Sequence, residues 1–268
     1  MLSRMGPRSV LFVTLDSCRY DTFLVADAPH MKAVGELHRA LAPANFTFAS
    51  HAAMFVGFTP SVSSRREPYV NPKWARLFKL DEAGFPGRAP PFFSLNGRTI
   101  IEGFKNKGYA ALGTGALGWF DRATPVGRWL TQDFDEFFFP GSTYRIDKQL
   151  KWALSRLQRQ DGRPTFLFLN IGETHVPYYY RNAPWKTNNP CEPFGAHNDA
   201  RECRRRQIAC IEHVDAMLAE LLDLFSAATI LLCSDHGDCW GEDGLWEHGF
   251  THPAVMEVPL LIRLGQAS

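Results

Sequence analysis

Short, continuous apolar runs alternate along the chain with segments whose apolar residues recur at helical spacing. The apolar runs, which predict buried strands, cover residues 10–15, 109–112, 165–171, 229–233 and 258–262. The segments with helical spacing cover residues 29–41, 50–55, 99–107, 143–160 and 203–225. Buried strands that alternate with amphipathic helices are typical of a mostly parallel sheet with helices on both faces. The pattern therefore predicts an α/β fold, a three-layer αβα sandwich.

Two long stretches, 61–98 and 172–202, do not fit this alternation. The first is rich in Pro, Arg and Phe, and the second carries three consecutive tyrosines that begin at Tyr178. Neither has the composition of a linker between domains, and loops of this length inside a compact domain are usually functional. We expect a single domain over residues 1–268, with these two stretches as cap loops.

Side chains that can bind a metal ion follow three of the predicted strands. They are Asp16, His175, the pair Asp235 and His236, and, a little further along, His248. Ligands gather at the carboxyl ends of strands in open α/β sheets, and carboxylate and imidazole groups suit Zn²⁺ or Mn²⁺. Each residue alone has an ordinary alternative, since Asp16 could cap a helix or form a turn. Their joint placement favours a metal site.

Thr47 lies where a polar loop turns into the predicted helix 50–55. The N-terminus of a helix favours an anion, because its N–H groups are free and the helix dipole is positive there. The Thr47 hydroxyl could bind the metal, lose its proton and attack an electrophilic centre. The sequence leaves a second interpretation equally open, in which Thr47 or Ser50 is only a helix cap.

Charge and cysteine content narrow the function classes. Lys and Arg total 29 and Asp and Glu total 28, a net charge of +1 that argues against a nucleic-acid partner. No apolar run approaches the length of a membrane span, and the N-terminus does not resemble an export signal, so we expect a cytoplasmic protein. The six cysteines show no CxxC spacing, and a disulfide among Cys191, Cys203 and Cys210 stays open.

The chain resembles the alkaline phosphatase superfamily in five motifs that occur in family order: LDSCRYD, TFASHAAMFVGFTP, ETHVPY, SDHGDCWGEDGLWEHG and EVPLLIR. They are most similar to the sulfatase-like branch, which includes sulfatases, phosphonate monoester hydrolases and phosphoethanolamine transferases. The motifs span residues 10–263, nearly the whole chain. The resemblance implies an alkaline-phosphatase-like sheet and a minimal catalytic core that ends before the usual C-terminal section of the family.

The resemblance also implies roles for individual residues. Asp16, Asp235 and His236 match metal ligands. Thr47 matches the nucleophile, which also touches the metal. His175 and His248 match histidines that contact the transferred group, protonate the leaving group or help to bind a second metal.

Three further residues are candidates for substrate contacts. His51 falls where sulfatases have an arginine beside the nucleophile. Arg19 forms with Asp21 a recurring pair whose family role we take as structural, although Arg19 could also contact substrate. Tyr178 lies among aromatic residues that could line an organic-group pocket.

Two departures from the family pattern narrow the expected reaction. No cysteine occurs in residues 45–57, which rules out formylglycine chemistry and makes sulfatase activity the less favoured alternative. The Asp-x-x-Gly-His motif that relatives use for a second metal is missing. We therefore expect one firm divalent metal site, for Zn or Mn before Ca or Mg, and at most a weak second one.

The function predicted from these residues is metal-dependent hydrolysis or transfer of a phosphoryl group. The substrate would be a small phosphate monoester, phosphate diester or phosphonate ester, and the reaction would pass through a phosphorylated Thr47. The alternatives are a sulfuric ester hydrolase, or a catalytically silent relative that binds an anion or a partner protein. A homo-oligomer stays open.

Overall fold

The structure is a computed structural model that describes residues 4–57, 78–81, 92–95, 97–160 and 162–265. Its strands, in chain order, are β1 (Val10–Leu15), β2 (His38–Leu41), β3 (Phe78–Asp81), β4 (Phe92–Leu95), β5 (Ala110–Gly115), β6 (Glu136–Phe138), β7 (Thr165–Ile171), β8 (Thr229–Ser234), β9 (Cys239–Trp240), β10 (Trp246–Glu247) and β11 (Glu257–Arg263). Its helices are α1 (Tyr20–Val25), α2 (Pro29–Lys32), α3 (Thr47–Val56), α4 (Ile100–Asn106), α5 (Pro125–Thr131), α6 (Ile146–Leu157), α7 (Ala200–Leu224) and α8 (Pro253–Met256).

One seven-stranded sheet forms the centre of the fold, in the strand order β2-β11-β8-β1-β7-β5-β6. The strands β8, β1, β7, β5 and β6 run parallel to one another, whereas β11 is antiparallel to both of its neighbours. Parallel neighbours need a long crossover connection, which is usually a helix. The prediction of a mostly parallel sheet is confirmed.

Alternate residues of the central strands enter two different cores. Leu11 of β1 packs with apolar residues of α1, α2, α6 and α7, while Phe12 packs with residues of α3, α4 and α5. Successive side chains of a strand point to opposite faces, so one strand serves both helical layers. Aromatic rings dominate the second core, where Phe55 and Phe168 meet edge to face with their centroids 5.1 Å apart. The three-layer αβα architecture is therefore confirmed.

The segment 29–41, predicted as one helix, is instead the short helix α2 followed by the edge strand β2. Met31 is fully buried, as the helical spacing required, but Leu41 is 69% exposed. Gly35 lies directly against the carbonyl oxygen of Ile262, where a side chain would collide with β11. The close approach lets the chain pair with β11 beyond this point, so tertiary pairing overrides the local helical periodicity.

The other predicted helices are present with shifted ends. The predicted helix 203–225 is α7, which begins at Ala200 because the Asp199 side chain accepts hydrogen bonds from the N–H groups of Arg201 and Glu202. Although α7 is 25 residues long, no helix among the described residues combines the length and apolar character that crossing a bilayer requires.

Of the two expected cap loops, 61–98 lies mostly outside the described residues. Within it the structure describes β3 and β4, which pair antiparallel, and the two residues at its end. The stretch 172–202 is described throughout and leads from β7 to α7. It packs a small core of its own with α7 and β9, whose buried members are Tyr178, Cys191, Cys203, Cys210 and Trp240. All six cysteines carry free thiols in this structure.

A buried carboxyl group lies between the end of β7 and the start of α6. Glu173 Oε1 accepts a hydrogen bond of 2.8 Å from the N–H of Ile146, while Oε2 has no hydrogen-bond partner. Burial raises the pKa of Glu173 from 4.5 to about 8, since the hydrogen bond compensates only part of the lost hydration. The folded chain therefore holds a proton on this group at pH values where the unfolded chain has released it.

We expect the free energy of unfolding to carry a pH-dependent contribution from Glu173. Because the folded pKa is raised, this stabilisation is complete below about pH 4.5 and is lost as the pH rises through about 8. Denaturant unfolding of wild type and Glu173→Gln between about pH 5 and pH 9 should show the wild type losing stability relative to the variant. Glu36→Gln, which alters an exposed carboxyl group, is the control. A difference between wild type and Glu173→Gln that stays constant with pH would contradict this.

Candidate active site

The carboxyl ends of three neighbouring strands bring charged and polar groups to one rim of the sheet. Asp16 follows β1, Asp235 and His236 follow β8, and His175 lies just beyond β7. Asp16, Asp235 and His236 are completely buried, whereas His175 is partly exposed. The structure thus assembles in space the residues that the sequence analysis singled out at strand ends.

Asp16, Asp235 and His236 form a cluster whose ligand atoms all lie within 4.8 Å of one another. His236 Nε2 is 3.9 Å from Asp16 Oδ1 and 3.6 Å from Asp235 Oδ2. The other ring nitrogen, Nδ1, lies 3.0 Å from the carbonyl oxygen of Gly237. Because a carbonyl can only accept, Nδ1 carries the proton, and Nε2 presents its lone pair to the two carboxylates.

Hydrogen bonds from the protein occupy only some of the oxygens of these two carboxylates. Asp235 Oδ1 accepts hydrogen bonds from the N–H groups of Ser17 and His236, but Oδ2 has no partner. Burial raises the pKa of Asp235 to about 7, and burial together with the charge of Asp235 raises the pKa of Asp16 to about 6. A divalent cation stabilises a buried carboxylate pair of this kind. The donor set therefore fits a metal ion.

Thr47 adds a hydroxyl group to the same cluster. It is the first residue of α3, only 1% of it is exposed, and its Oγ lies 3.5 Å from Asp16 Oδ1 and 3.4 Å from His236 Nε2. The residue at the helix cap position is Phe46, whose side chain makes no capping hydrogen bond. The interpretation of Thr47 or Ser50 as only a cap is therefore not supported, and the dipole at the start of α3 favours an anion.

His51 supports Thr47 from within α3. Its Nδ1 donates to the carbonyl oxygen of Thr47 at 2.7 Å, and its Nε2 lies 2.9 Å from the hydroxyl of Thr14. The ring is fully buried, and burial lowers the pKa of His51 to about 4, so the imidazole is neutral. Nδ1 is occupied within α3, and Nε2 connects α3 to β1, so both ring nitrogens already have partners in the protein.

His175 and His248 stand beside the cluster, with 19% and 17% of their side chains exposed. His175 Nε2 is 4.0 Å from Asp16 Oδ1. The ring centroid of His248 is 4.3 Å from that of His236 and 5.5 Å from that of His175. These two histidines line the side of the cluster that is open to solvent.

Asp238 gives His248 a pKa very different from that of His236. Burial lowers the pKa of His248, but a hydrogen bond of 2.7 Å to Asp238 Oδ1 and the charge of Asp238 outweigh burial and raise it to about 9. Burial and the charge of His248 lower the pKa of His236 to about 4. One imidazole therefore carries a proton at neutral pH, while its neighbour is uncharged. The sequence analysis missed Asp238, although it follows Asp235 and His236 directly after an apolar strand.

His236, Asp238 and His248 form a second group whose ligand atoms lie within 4.8 Å of one another. Both oxygens of Asp238 are already occupied, Oδ1 by His248 and Oδ2 by the hydroxyl of Tyr178 at 2.8 Å. Among the described residues, the cluster with the open oxygen of Asp235 is therefore the better metal site.

Arg19 and Tyr178, the other two candidates for substrate contacts, lie behind the site. The Arg19 guanidinium donates to both carboxylate oxygens of Asp21 and to Glu242. Tyr178 is fully buried, and its hydroxyl donates to Asp238. Both side chains are engaged in holding the loops after β1 and β8.

Further buried polar residues hold the metal cluster in place. Asn170 Nδ2 donates to Asp16 Oδ2 at 3.0 Å, and the Thr174 hydroxyl donates to the carbonyl oxygen of Asp16 at 2.7 Å. Gln207 of α7 donates to the carbonyl oxygens of Ser17 and Thr174. Asn170 could have been found from the sequence as the polar residue in the otherwise apolar run of β7. Gln207 carries no such signal, because nothing local marks it as facing the loops.

Comparison with known proteins places this arrangement in a family. A sequence model of the sulfatase family matches residues 9–267. A choline-sulfatase from Rhizobium meliloti is 28% identical in an alignment 153 residues long. The alignment covers 44% of this chain and 30% of that protein.

Two solved structures share the fold. The C-terminal periplasmic domain of phosphoethanolamine transferase EptC from Campylobacter jejuni superposes with a TM-score of 0.67 at 12% identity, over 98% of this chain and 83% of that one. The corresponding domain of EptC from Escherichia coli, solved in complex with Zn, has a TM-score of 0.65 at 14% identity, over 97% of this chain and 74% of that one. With a family match along nearly its whole length, the chain belongs to the sulfatase family.

Proposed function

We propose that this protein hydrolyses or transfers the phosphoryl group of a phosphate or phosphonate ester, with Thr47 as the nucleophile. The observation that carries the proposal is the position of the Thr47 hydroxyl, 3.4 Å from His236 Nε2 and 3.5 Å from Asp16 at the N-terminus of α3. A nucleophile, a cation site and the positive end of a helix dipole that converge on one point suit the transfer of an anionic group.

A divalent metal ion fits the cluster of Asp16, Asp235 and His236, with Thr47 within reach of it. The open oxygen of Asp235 and the raised pKa values of both carboxyl groups support this assignment. When bound, the ion supplies positive charge that lowers the pKa of the Thr47 hydroxyl and neutralises charge on the phosphoryl oxygens. Two carboxylates and one imidazole favour Zn²⁺ or Mn²⁺ over Ca²⁺ or Mg²⁺, which prefer oxygen ligands alone.

Different residues of the chain act as the nucleophile, as the proton donor and as a contact for the transferred group. The Thr47 oxygen, once its hydroxyl proton has passed to solvent, forms a bond to phosphorus while the bond from phosphorus to the leaving oxygen breaks. His248, which is protonated at neutral pH because Asp238 raises its pKa, donates the proton from Nε2 to the departing oxygen. Water or an acceptor alcohol then attacks the phosphothreonine, gives its proton to the neutral His248 and releases Thr47. His175, which is 4.0 Å from Asp16, is placed to hold the transferred group.

A sulfate ester is the second candidate substrate, because the chain belongs to the sulfatase family and aligns with a choline-sulfatase over part of its length. Sulfatases of the family depend on a formylglycine made from cysteine, and position 47 is threonine. We therefore place phosphoryl transfer first. A silent anion-binding relative is the remaining alternative, and the metal and turnover measurements below distinguish it.

Thr47→Ala should abolish turnover, because the only proposed nucleophile is removed. With aryl phosphate, bis-aryl phosphate, aryl phosphonate and aryl sulfate esters as substrates, we expect a loss of kcat of about 10³-fold or more on the best of them. Thr47→Ser, which keeps a hydroxyl, should retain measurable activity, and a brief reaction of wild type should add the mass of one phosphoryl group to the peptide that contains Thr47. Equal rates for wild type and Thr47→Ala would eliminate this nucleophile, and aryl sulfate as the best substrate would reverse the preference.

Asp235→Asn should weaken metal binding, because it removes the charge of the carboxylate whose Oδ2 is open. Titration calorimetry with Zn²⁺ and Mn²⁺ should show affinity lower by at least about 10-fold than in wild type. Asp215→Asn is the matched control, since Asp215 is a buried carboxylate that accepts hydrogen bonds from the N–H groups of His30 and Met31, away from the cluster. Unchanged affinity in Asp235→Asn would reject the ligand set.

His248→Gln should slow the transfer in a way that depends on the leaving group. An alkyl phosphate ester needs a proton on its departing oxygen, and the rate at which it releases its alcohol in a single turnover should fall by about 10²–10⁴-fold. A nitrophenyl ester leaves without that help, so its release of nitrophenol in a single turnover should be affected far less. A loss of equal size on both esters would contradict the role of His248 as the general acid.

A further inference from the structure

A chain of buried hydrogen bonds runs behind His248. The indole Nε1 of Trp240 donates to the hydroxyl oxygen of Tyr178 at 2.7 Å, and the Tyr178 hydroxyl donates to Asp238 Oδ2 at 2.8 Å. The other oxygen of Asp238, Oδ1, accepts the bond of 2.7 Å from His248 Nδ1. Tyr178 and Asp238 are completely buried, and Trp240 is nearly so.

The direction of each bond follows from the groups involved. An indole N–H can only donate, so the Tyr178 oxygen accepts from Trp240, and the single phenolic proton is left for Asp238. An ionised carboxylate can only accept, so the proton on His248 lies on Nδ1. Nδ1 is thereby committed to Asp238, and the ring centroid of His248 lies 4.3 Å from that of His236.

Packing holds this chain in one arrangement. The rings of Tyr178 and Trp240 meet edge to face at 5.8 Å, and the Arg19 guanidinium lies 4.2 Å from the Trp240 centroid. Trp185 Nε1 donates to the carbonyl oxygen of Tyr178 at 3.0 Å. Tyr178 also adopts a φ of +57°, a region that L-residues other than Asn and Asp seldom occupy. Several contacts thus hold a side chain that the backbone alone would not favour here.

We propose that Tyr178, backed by Trp240, is a positioning residue for the leaving-group step. It fixes the carboxylate of Asp238, which fixes the tautomer and the orientation of His248. The proposal rests on the proposed function, in which His248 gives its proton to the departing oxygen. It also accounts for a hydroxyl at position 178, since phenylalanine would fill the same space in a purely apolar core.

Tyr178→Phe tests this, because it keeps the ring and removes both hydrogen bonds of the hydroxyl. In the zinc-loaded protein we expect the single-turnover rate of alcohol release from an alkyl phosphate ester to fall by about 10- to 100-fold, while the single-turnover release of nitrophenol from a nitrophenyl phosphate ester changes by less than about 3-fold. Tyr180→Phe is the matched control, since Tyr180 lies in the same loop and stacks on His213 with centroids 4.1 Å apart. Equal losses on both esters, or no loss on either, would overturn the proposal.

A second measurement does not depend on turnover. In proton NMR of the zinc-loaded protein, the Nδ1 proton of His248, assigned with His248→Gln, should give a low-field signal protected from exchange in wild type and in Tyr180→Phe. The signal should be lost or broadened by exchange in Tyr178→Phe. An unchanged signal in that variant would reject the positioning role. If wild type turns over no ester yet the signal depends on Tyr178, the proposed function fails and the positioning role stands.

Trp240→Phe provides an independent variant at the other end of the chain. It keeps an aromatic ring but removes the indole N–H that directs the Tyr178 proton to Asp238, so the same two effects should appear at smaller size. If Tyr178→Phe does not fold, Trp240→Phe is the variant that tests the positioning role. No change in either readout for Trp240→Phe would then overturn the proposal.

Discussion

Two carboxylates buried side by side at the rim of the sheet, Asp16 and Asp235, set the conditions for the rest of the site. Removal of water disfavours the charged form of both and raises both pKa values, and the negative charge of Asp235 raises the pKa of Asp16 further. The N–H groups of Ser17 and His236 and the amide of Asn170 compensate part of this cost. The open oxygen of Asp235 is not compensated, and a bound cation would compensate it.

The neighbouring histidines illustrate how a hydrogen-bond partner decides the chemistry of a ring. His236 and His248 lie 4.3 Å apart, yet the first donates to a neutral carbonyl and the second to a carboxylate. A neutral acceptor leaves His236 uncharged and able to bind a cation through Nε2. The charged acceptor, Asp238, keeps His248 protonated, so the two rings have complementary roles within one small volume.

The fold contributes rigidity at the places where these groups are attached. Three adjacent parallel strands end at the rim, and apolar side chains on both faces hold them in register. Gln207, in the first half of α7, donates to the carbonyl oxygens of Ser17 and Thr174. The longest described helix thus connects the loops after β1 and β7. Polar residues in otherwise apolar surroundings are thus concentrated where the ligand groups must not move.

The sequence by itself determined the layered α/β fold and the residues of the metal cluster, because apolar runs and the polar residues that end them are local patterns. It did not determine that the segment 29–41 divides into a helix and an edge strand, since that depends on pairing with β11 at the far end of the chain. Nor did it determine that His51 and Tyr178 are buried supports rather than substrate contacts. Their roles depend on hydrogen bonds to Thr14 and Asp238, which lie 37 and 60 residues away in the chain. A local pattern shows which groups a side chain carries, but only the tertiary structure decides which distant group it meets, and the pKa and orientation of each histidine follow from that encounter.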